Sequence, residues 1–277
     1  MKTILVTGAG GYIGRFAVKA LLDRGARVIA VDVCTEDIDP RAEVRQMSIF
    51  EDDPDVFEHL GCPDACLHMA WRNGFVHNAP SHMEDLSAHA RFIRQMTEGG
   101  LKQIAVMGTM HEIGYHEGAV DENTPCNPRS LYGIAKDALR RFTLLQAAAT
   151  GAKALWLRAY YIYGDDLKNN SIFCKLLQAA EAGKVEFPFT SGRNKYDFIS
   201  VDELARQLAA CVLQDEVDGV INCCSGKPVS LGEHVEGFIR ERKLPIALKY
   251  GVFPDRPYDS PAIWGDASKI QAILQNS

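Results

Sequence analysis

Tyr132 and Lys136 stand four residues apart in a stretch, 128–150, whose spacing of apolar residues predicts a helix, so both project from one face. A tyrosine has an unperturbed pKa of about 10 and exchanges protons poorly near neutrality. An ammonium one helical turn away favours the phenolate, so the expectation is a lowered Tyr132 pKa. The phenol could then trade a proton with a hydroxyl or carbonyl oxygen. Thr109 follows a predicted strand, 103–107, and offers a hydroxyl that could hydrogen-bond the same oxygen. Alone, Tyr-x-x-x-Lys is an ordinary helix-surface pair. It gains chemical meaning from Thr109 and from a glycine-rich turn at the head of the chain.

That turn is Thr7-Gly-Ala-Gly-Gly-Tyr-Ile-Gly14, between the apolar run Ile4, Leu5, Val6 and a helical stretch, 15–24. Gly8 would permit a tight turn, Gly11 would let backbone approach a pyrophosphate, and Gly14 would let helix pack close to strand. Free N–H groups at the helix start would hold the phosphates. A second strand, 27–31, leads into Asp32, 18 residues beyond Gly14. A carboxylate there accepts hydrogen bonds from an adenosine ribose and repels a 2′-phosphate. NAD is therefore the expected cofactor, with NADP kept open by Arg15 beside the turn. In that frame the positive ring of an oxidised nicotinamide joins the Lys136 ammonium in lowering the phenol's pKa, and the phenol exchanges its proton while a hydride passes to or from the nicotinamide, whose ribose Lys136 could also hold.

Further strands at 44–49, 65–69 and 153–158 alternate with helices at 53–60, 82–97 and 128–150, which predicts an α/β chain with a Rossmann-type, doubly wound parallel sheet. Ligands of such a sheet bind beyond the carboxyl ends of its strands, where Thr109 falls. After residue 164 the alternation loosens into a helix at 172–182, a loop at 187–196, a helix at 201–213 and a strand at 219–223. A helix at 230–242, a proline-rich turn (Pro254, Pro257, Pro261) and a last helix from 266 follow. The reading is a dinucleotide-binding lobe, 1–164, also receiving about 197–225, and a smaller C-terminal substrate lobe built from 165–196 and 226–277.

With 277 residues, 47% of them hydrophobic, the chain can bury a full core. A net charge of −6 and the lack of a basic run speak against a nucleic-acid partner. No apolar run approaches the ~20 residues that span a bilayer. The chain enters strand and glycine turn within eight residues, so no export signal is expected. Eight cysteines without a CxxC pair then read as free thiols in a reducing compartment, the cytoplasm.

Taken together, the motifs resemble an extended short-chain dehydrogenase/reductase of the NAD-dependent epimerase/dehydratase family, whose members act mostly on nucleotide sugars. The resemblance rests on the glycine turn, His68-Met-Ala-Trp71, Asp121-Glu-Asn-Thr-Pro-Cys-Asn-Pro128 and Tyr132-Gly-Ile-Ala-Lys136. It continues through Leu157-Arg-Ala-Tyr-Tyr-Ile-Tyr-Gly164, Asp197-Phe-Ile-Ser-Val-Asp202, Asn222-Cys-Cys-Ser-Gly-Lys-Pro-Val-Ser230 and Arg256-Pro-Tyr-Asp259 with Asp266-Ala-Ser-Lys269. It implies a cofactor lined by Gly8, Gly11, Tyr12, Ile13, Gly14, Asp32, Ile49, Met69, Ala70, Tyr132 and Lys136, and catalysis by Thr109, Tyr132 and Lys136. It places Trp71, Arg72, Tyr161, Asn170, Arg193 and Arg256 toward a nucleotide-sugar substrate, with simple packing beneath the helices open for Trp71 and a solvated loop charge open for Arg193. It also implies a homodimer joined through the helices at 82–97 and 128–150.

Departures from the family pattern narrow the reaction. The family's 4,6-dehydratases follow the catalytic Thr with Asp and Glu, whereas this chain has Met110 and His111, so dehydration is not expected. In epimerase-reductases of GDP-sugars a Cys and a His shift protons, and here His111 and Ser171 take those places. His111 could act as a single base or hydrogen-bond donor, or simply pack against Tyr115 or the cofactor. Tyr161 stands where many relatives carry Asn and Tyr196 where many carry Arg, which leaves Arg193 or Lys195, with Arg256, for the diphosphate. Ser48 replaces an adenine-contacting Asp. The resulting expectation is a reductase/dehydrogenase acting at C4 of a 4-keto or 6-deoxy nucleotide sugar. The alternatives are a 4-epimerase with tightly bound NAD, or a uronate/aldose dehydrogenase, whose corresponding stretch Thr109-Met-His-Glu-Ile-Gly-Tyr115 also resembles. A non-enzymatic cofactor sensor is disfavoured by the intact Thr, Tyr and Lys.

Overall fold

The computed structural model describes residues 1–164, 171–255 and 259–276. Its centre is a seven-stranded sheet of β1 (Thr3–Thr7), β2 (Arg27–Asp32), β3 (Glu43–Gln46), β4 (Ala65–His68), β5 (Gln103–Thr109), β7 (Lys153–Ala159) and β11 (Gly219–Cys223). The order is β11-β7-β5-β4-β1-β2-β3, and every neighbouring pair is parallel. Side chains of a strand alternate between faces, so a sheet buried on both sides needs unbroken apolar runs. Ile4 and Val6 enter one core with Ala17, Val18 and Leu21 of α1 (Tyr12–Asp23), Leu204 and Leu208 of α7 (Val201–Leu213) and Ile270 of α9 (Ser268–Gln275). Leu5 enters the other with Phe57 of α2 (Val56–His59), Phe92, Ile93 and Met96 of α4 (Leu86–Glu98) and Leu139 of α5 (Leu131–Thr150). The doubly wound fold expected from the sequence is therefore present.

The chain order reverses between β1 and β4, which opens a crevice beyond their carboxyl ends. One continuous helix was expected over 82–97; instead α3 (Ser81–Glu84) and α4 meet at Asp85, whose carboxylate is drawn out to Arg72. Ser130 caps α5, its hydroxyl accepting from Gly133 N at 3.2 Å, and this fixes the first turn that carries Tyr132.

The smaller lobe holds a second sheet of β6 (Gly118–Val120), β8 (Tyr161–Tyr163), β10 (Lys195–Ser200), β12 (Pro228–Ser230) and β14 (Ala262–Gly265). Beside it lie the pair β9 (Glu186–Pro188) and β13 (Ala247–Lys249), with helices α6 (Ile172–Glu181) and α8 (Leu231–Glu241). The predicted loop 187–196 is thus partly wrong, because it contains the end of β9 and the start of β10. Most of these strands have only three or four residues, too few to display a period of two. Two polar knots fasten the lobes. Buried Asp197 accepts from Ser225 N (2.8 Å), Ser225 Oγ (2.6 Å), Gly226 N (2.9 Å) and Gly265 N (3.2 Å). Asn222 Nδ2 donates to the Val120 and Asp266 carbonyls at 2.7 and 3.2 Å. All eight cysteines are free, and among the described residues no helix is long and apolar enough to cross a membrane.

Candidate active site

Backbone geometry builds one half of the crevice. Gly8 has φ +71°, and a Cβ there would stand 2.6 Å from Ala70 N, so turn and β4 end touch through main chain. A Cβ at Gly14 would overlap the Gly8 carbonyl, and Gly11 caps α1. Gly10, passed over in the sequence, is as crowded: a Cβ would run into the Cys34 carbonyl. Its N–H donates to Asp32 Oδ2 at 2.9 Å, while Cys34 N donates to Oδ1 at 3.1 Å. A carboxylate has about four acceptor positions, so Asp32 keeps capacity for ribose hydroxyls. This cradle has the close main-chain approach, the N–H groups and the strand-end acid that a dinucleotide demands. Arg15, which left NADP open, is paired with Asp37 at 3.4 Å. Tyr12 opens α1, Ile13 packs on the core, and Ile49 is buried in the second core.

Beneath the cradle, Thr7 Oγ1 accepts from Met69 N (3.2 Å) and Ala70 N (3.3 Å). Its proton therefore goes to His68 Nδ1 at 2.8 Å, and His68 Nε2 then donates to His89 Nδ1 at 3.0 Å. Both rings are neutral, since burial drives the His68 pKa well below its usual value and that of His89 to about 3.

Thr109 ends β5 as the N-cap of a single 3-10 turn, Met110–Glu112, in a capping box. Its Oγ1 accepts from His111 N at 3.3 Å, and its N–H donates to Glu112 Oε1 at 2.7 Å. Glu112 is fully buried and also accepts from Trp156 Nε1 at 2.8 Å. Its Oε2 faces Arg158 Nη2 at 3.5 Å and Arg140 Nε at 3.7 Å. One carboxylate thus ties the strand end bearing Thr109 to β7 and to the helix bearing Tyr132. Sequence reading weighed Met110 and His111 and missed this Glu. The T-x-x-E spacing was the available signal.

Half-buried Tyr132 lies inside a ring of aromatic side chains: His82 (5.2 Å between centroids), His77 (5.7 Å), Trp71 (6.0 Å) and His111 (6.0 Å). Lys136 Nζ donates to the Met107 carbonyl at 2.8 Å and sits 3.8 Å from the centre of the Trp71 indole. Without the nicotinamide charge, Lys136 alone does not lower the Tyr132 pKa. Removal from water pushes the phenol up to about 12, hydrogen bonding with Thr109 opposes this, and the Glu112 charge adds to the rise. The same removal from water brings Lys136 down to about 7, against the pull of Glu112. Burial likewise takes His111 to about 3, with His77 adding to the effect, which makes it a neutral ring at physiological pH.

The structure therefore brings Thr109, His111, Tyr132, Lys136 and Trp71 together. Arg72 is exposed and engages Asp85 through two hydrogen bonds of 2.7 and 2.6 Å. Tyr161 joins a separate aromatic cluster, 4.2 Å from Tyr196 and 5.7 Å from Phe198. Arg193 is exposed beside an open cleft of about 450 Å³ that also involves Ser230 and Tyr250. Asn170 and Arg256 lie outside the described residues. His77, His82 and His89 went unremarked as site residues in the sequence. His82 and His89, seven residues apart on a predicted helix, carried the only local hint. Among the described residues no set of His, Cys, Asp or Glu is placed to hold a metal.

Residues 4–224 match the sequence profile of the NAD dependent epimerase/dehydratase family. The chain is 45% identical to dTDP-6-deoxy-L-talose 4-dehydrogenase (NAD(+)) of Aggregatibacter actinomycetemcomitans, covering 95% of this chain and 98% of that one. It is 23% identical to UDP-glucose 4-epimerase of Lactobacillus helveticus over 98% of this chain and 90% of the relative. In fold it resembles UDP-N-acetylglucosamine 4-epimerase from Methanobrevibacter ruminantium M1, solved with UDP-N-acetylmuramic acid: the TM-score is 0.85 at 20% identity, covering 98% of this chain and 91% of that one.

Proposed function

This chain belongs to the NAD-dependent epimerase/dehydratase family, and from that premise we propose that it is an NAD-dependent 4-dehydrogenase/reductase of a 6-deoxy nucleotide sugar. The observation that carries this reading is the 45% identity, over nearly the whole of both chains, to a relative named as a dTDP-6-deoxy-L-talose 4-dehydrogenase. The cradle of Gly8, Gly10, Gly14 and Asp32 would hold the dinucleotide, which when bound supplies the carbon that accepts or donates the hydride. Thr109 would hydrogen-bond the sugar oxygen at C4. Tyr132 would take that oxygen's proton in oxidation and return it in reduction, and Lys136 would hold the ribose and favour the phenolate. With a phenol at about 12 in the free protein, oxidation depends on the positive charges of Lys136 and of the oxidised nicotinamide acting together. His111 stays neutral and serves as a hydrogen-bonding wall rather than as a proton carrier. Met110 and His111 supply no acid and base pair for loss of water.

The second reading is a 4-epimerase. Most of the similar named relatives and solved structures are 4-epimerases, at 19–26% identity, and by number they favour it. Two measurements separate the readings. The purified protein is assayed for retained NAD, and a panel of dTDP- and UDP-linked 6-deoxy and 4-keto sugars is followed by absorbance with added NAD or NADH. Net change of free cofactor with a 6-deoxy sugar supports the dehydrogenase. Interconversion of 4-epimers without added cofactor, by protein that retains NAD, overturns it in favour of the epimerase.

A further inference from the structure

Trp71 was expected either to line the substrate pocket or to pack beneath the helices, and the structure sets it against the helix that carries Tyr132 and Lys136. Its indole stacks on His89 (4.5 Å, 13°) and on His82 (6.0 Å, 22°). Nε1 donates to His82 Nδ1 at 3.0 Å, and His82 Nε2 donates in turn to the Val76 carbonyl at 2.9 Å. These contacts fix the rotation of the indole. What they present is a π face 3.8 Å from Lys136 Nζ and an edge toward the Tyr132 ring, 6.0 Å away at 71°.

The Lys136 ammonium needs such a partner. It is 3% exposed and has three N–H donors, of which one meets the Met107 carbonyl at 2.8 Å. Among the described residues no carboxylate lies within ion-pair distance of it. A buried ammonium without a counter-ion tends to shed its proton, and an aromatic face in a dry site opposes that loss. We propose that Trp71 is a positioning residue that keeps the Lys136 ammonium charged and anchored one helical turn from Tyr132, and is not a wall of the sugar pocket. The inference rests on the hydride-transfer reading above.

Around Nζ, His68 on β4 and His89 on α4 are neutral, Glu112 in the turn after β5 favours the charge, and Tyr132 is the neighbour on its own helix. In the reductive direction Tyr132 gives its proton to the sugar oxygen as the hydride reaches carbon, and charged Lys136 stabilises the phenolate left behind. Reductive kcat should therefore fall as pH rises through the Lys136 pKa. Removing the π face moves that fall to lower pH.

The test compares Trp71→Phe, which keeps a π face, with Trp71→Leu, which does not; Trp71→Met replaces the latter if it fails to fold. Expected for Trp71→Leu is a roughly 10-fold loss of kcat at neutral pH and a limb about one unit lower, with KM nearly unchanged. Trp71→Phe should stay within about 3-fold of the parent with its limb in place. A rise in KM in both variants without movement of the limb overturns the proposal in favour of a substrate wall. Equal loss in both without a shift overturns it in favour of simple packing. NMR titration of isotope-labelled lysine, assigned by the signal lost in Lys136→Met, reads the same shift without substrate. If no sugar of the panel turns over, the hydride-transfer reading fails while the Trp71–Lys136 linkage is still decided.

Discussion

The two halves of the crevice are made of different material. On one side, Gly8, Gly10 and Gly14 shape a cradle through main-chain contacts that a single Cβ would close, and the Asp32 carboxylate braces it. On the other, Trp71, His77, His82, His89 and His111 surround Tyr132 and Lys136 with side chains drawn from several separated elements. The first half depends on what is missing from its residues, the second on what neighbouring residues bring. The cradle should therefore govern whether cofactor binds, and the collar whether bound reactants react.

The largest effect expected from that division is on turnover. Tyr132→Phe keeps the ring and its aromatic contacts but removes the proton, so kcat should drop by about 10³-fold while the NAD dissociation constant stays within about 2-fold. Equal loss of NAD affinity, measured by fluorescence titration, would merge the two halves into one. Next comes Gly10→Val. Its side chain would overlap the Cys34 carbonyl and push the turn off Asp32. Overpacking of this kind costs about 1–3 kcal/mol, so NAD should bind roughly 10–100-fold more weakly, with kcat at saturating cofactor nearly kept. A kcat collapse at saturation would mean that the cradle also orients the reacting groups.

A smaller change tests cofactor choice. Asp32→Ala removes the acceptor expected to meet the ribose hydroxyls and also frees the N–H groups of Gly10 and Cys34. NAD should weaken by about tenfold while NADP is hardly affected, since its 2′-phosphate no longer meets a carboxylate. Equal losses for both cofactors would mean that Asp32 only braces the turn.

The same division explains what the sequence disclosed. The cradle was legible because turn, helix start and strand-end acid lie within residues 7–32, and because the turn depends on the absence of side chains, which a sequence states outright. Gly10 escaped because its crowding comes from Cys34, two residues past β2. Thr109, Tyr132 and Lys136 were legible as a spacing, and the strands of the central sheet as apolar runs. The polarity of their surroundings was not. A Lys four residues from a Tyr, with a nicotinamide charge beside it, implied an acidified phenol; enclosure by rings from residues 71–111 raises it in the free protein, and enclosure is a property of the assembled fold. Glu112 and the short strands of the second sheet were missed because each gains its meaning from distant partners, Arg158 for one and β10 or β14 for the others.

The smallest effect lies in the stability of the collar toward acid. His89 is 1% exposed and held neutral, with its pKa taken down to about 3 by burial and by the positive charges of Lys136 and Arg72. In the unfolded chain it titrates near 6.5, so below that pH the unfolded state binds the proton that the folded state refuses. Stability therefore falls as pH drops from about 6.5 toward 3, and is unaffected by this group above that window. At one unit below the unfolded value the loss from His89 should be about 1 kcal/mol. His89→Gln cannot take up the proton, so urea denaturation at neutral pH and one unit below the histidine range should show the parent losing about 1 kcal/mol more than the variant. Comparing each protein with itself at the two pH values cancels the packing cost of the substitution. Equal acid losses in parent and variant would mean that His89 carries its proton inside the fold. The chain from Thr7 through His68 would then have to run in the opposite direction, with the Thr7 hydroxyl accepting rather than donating.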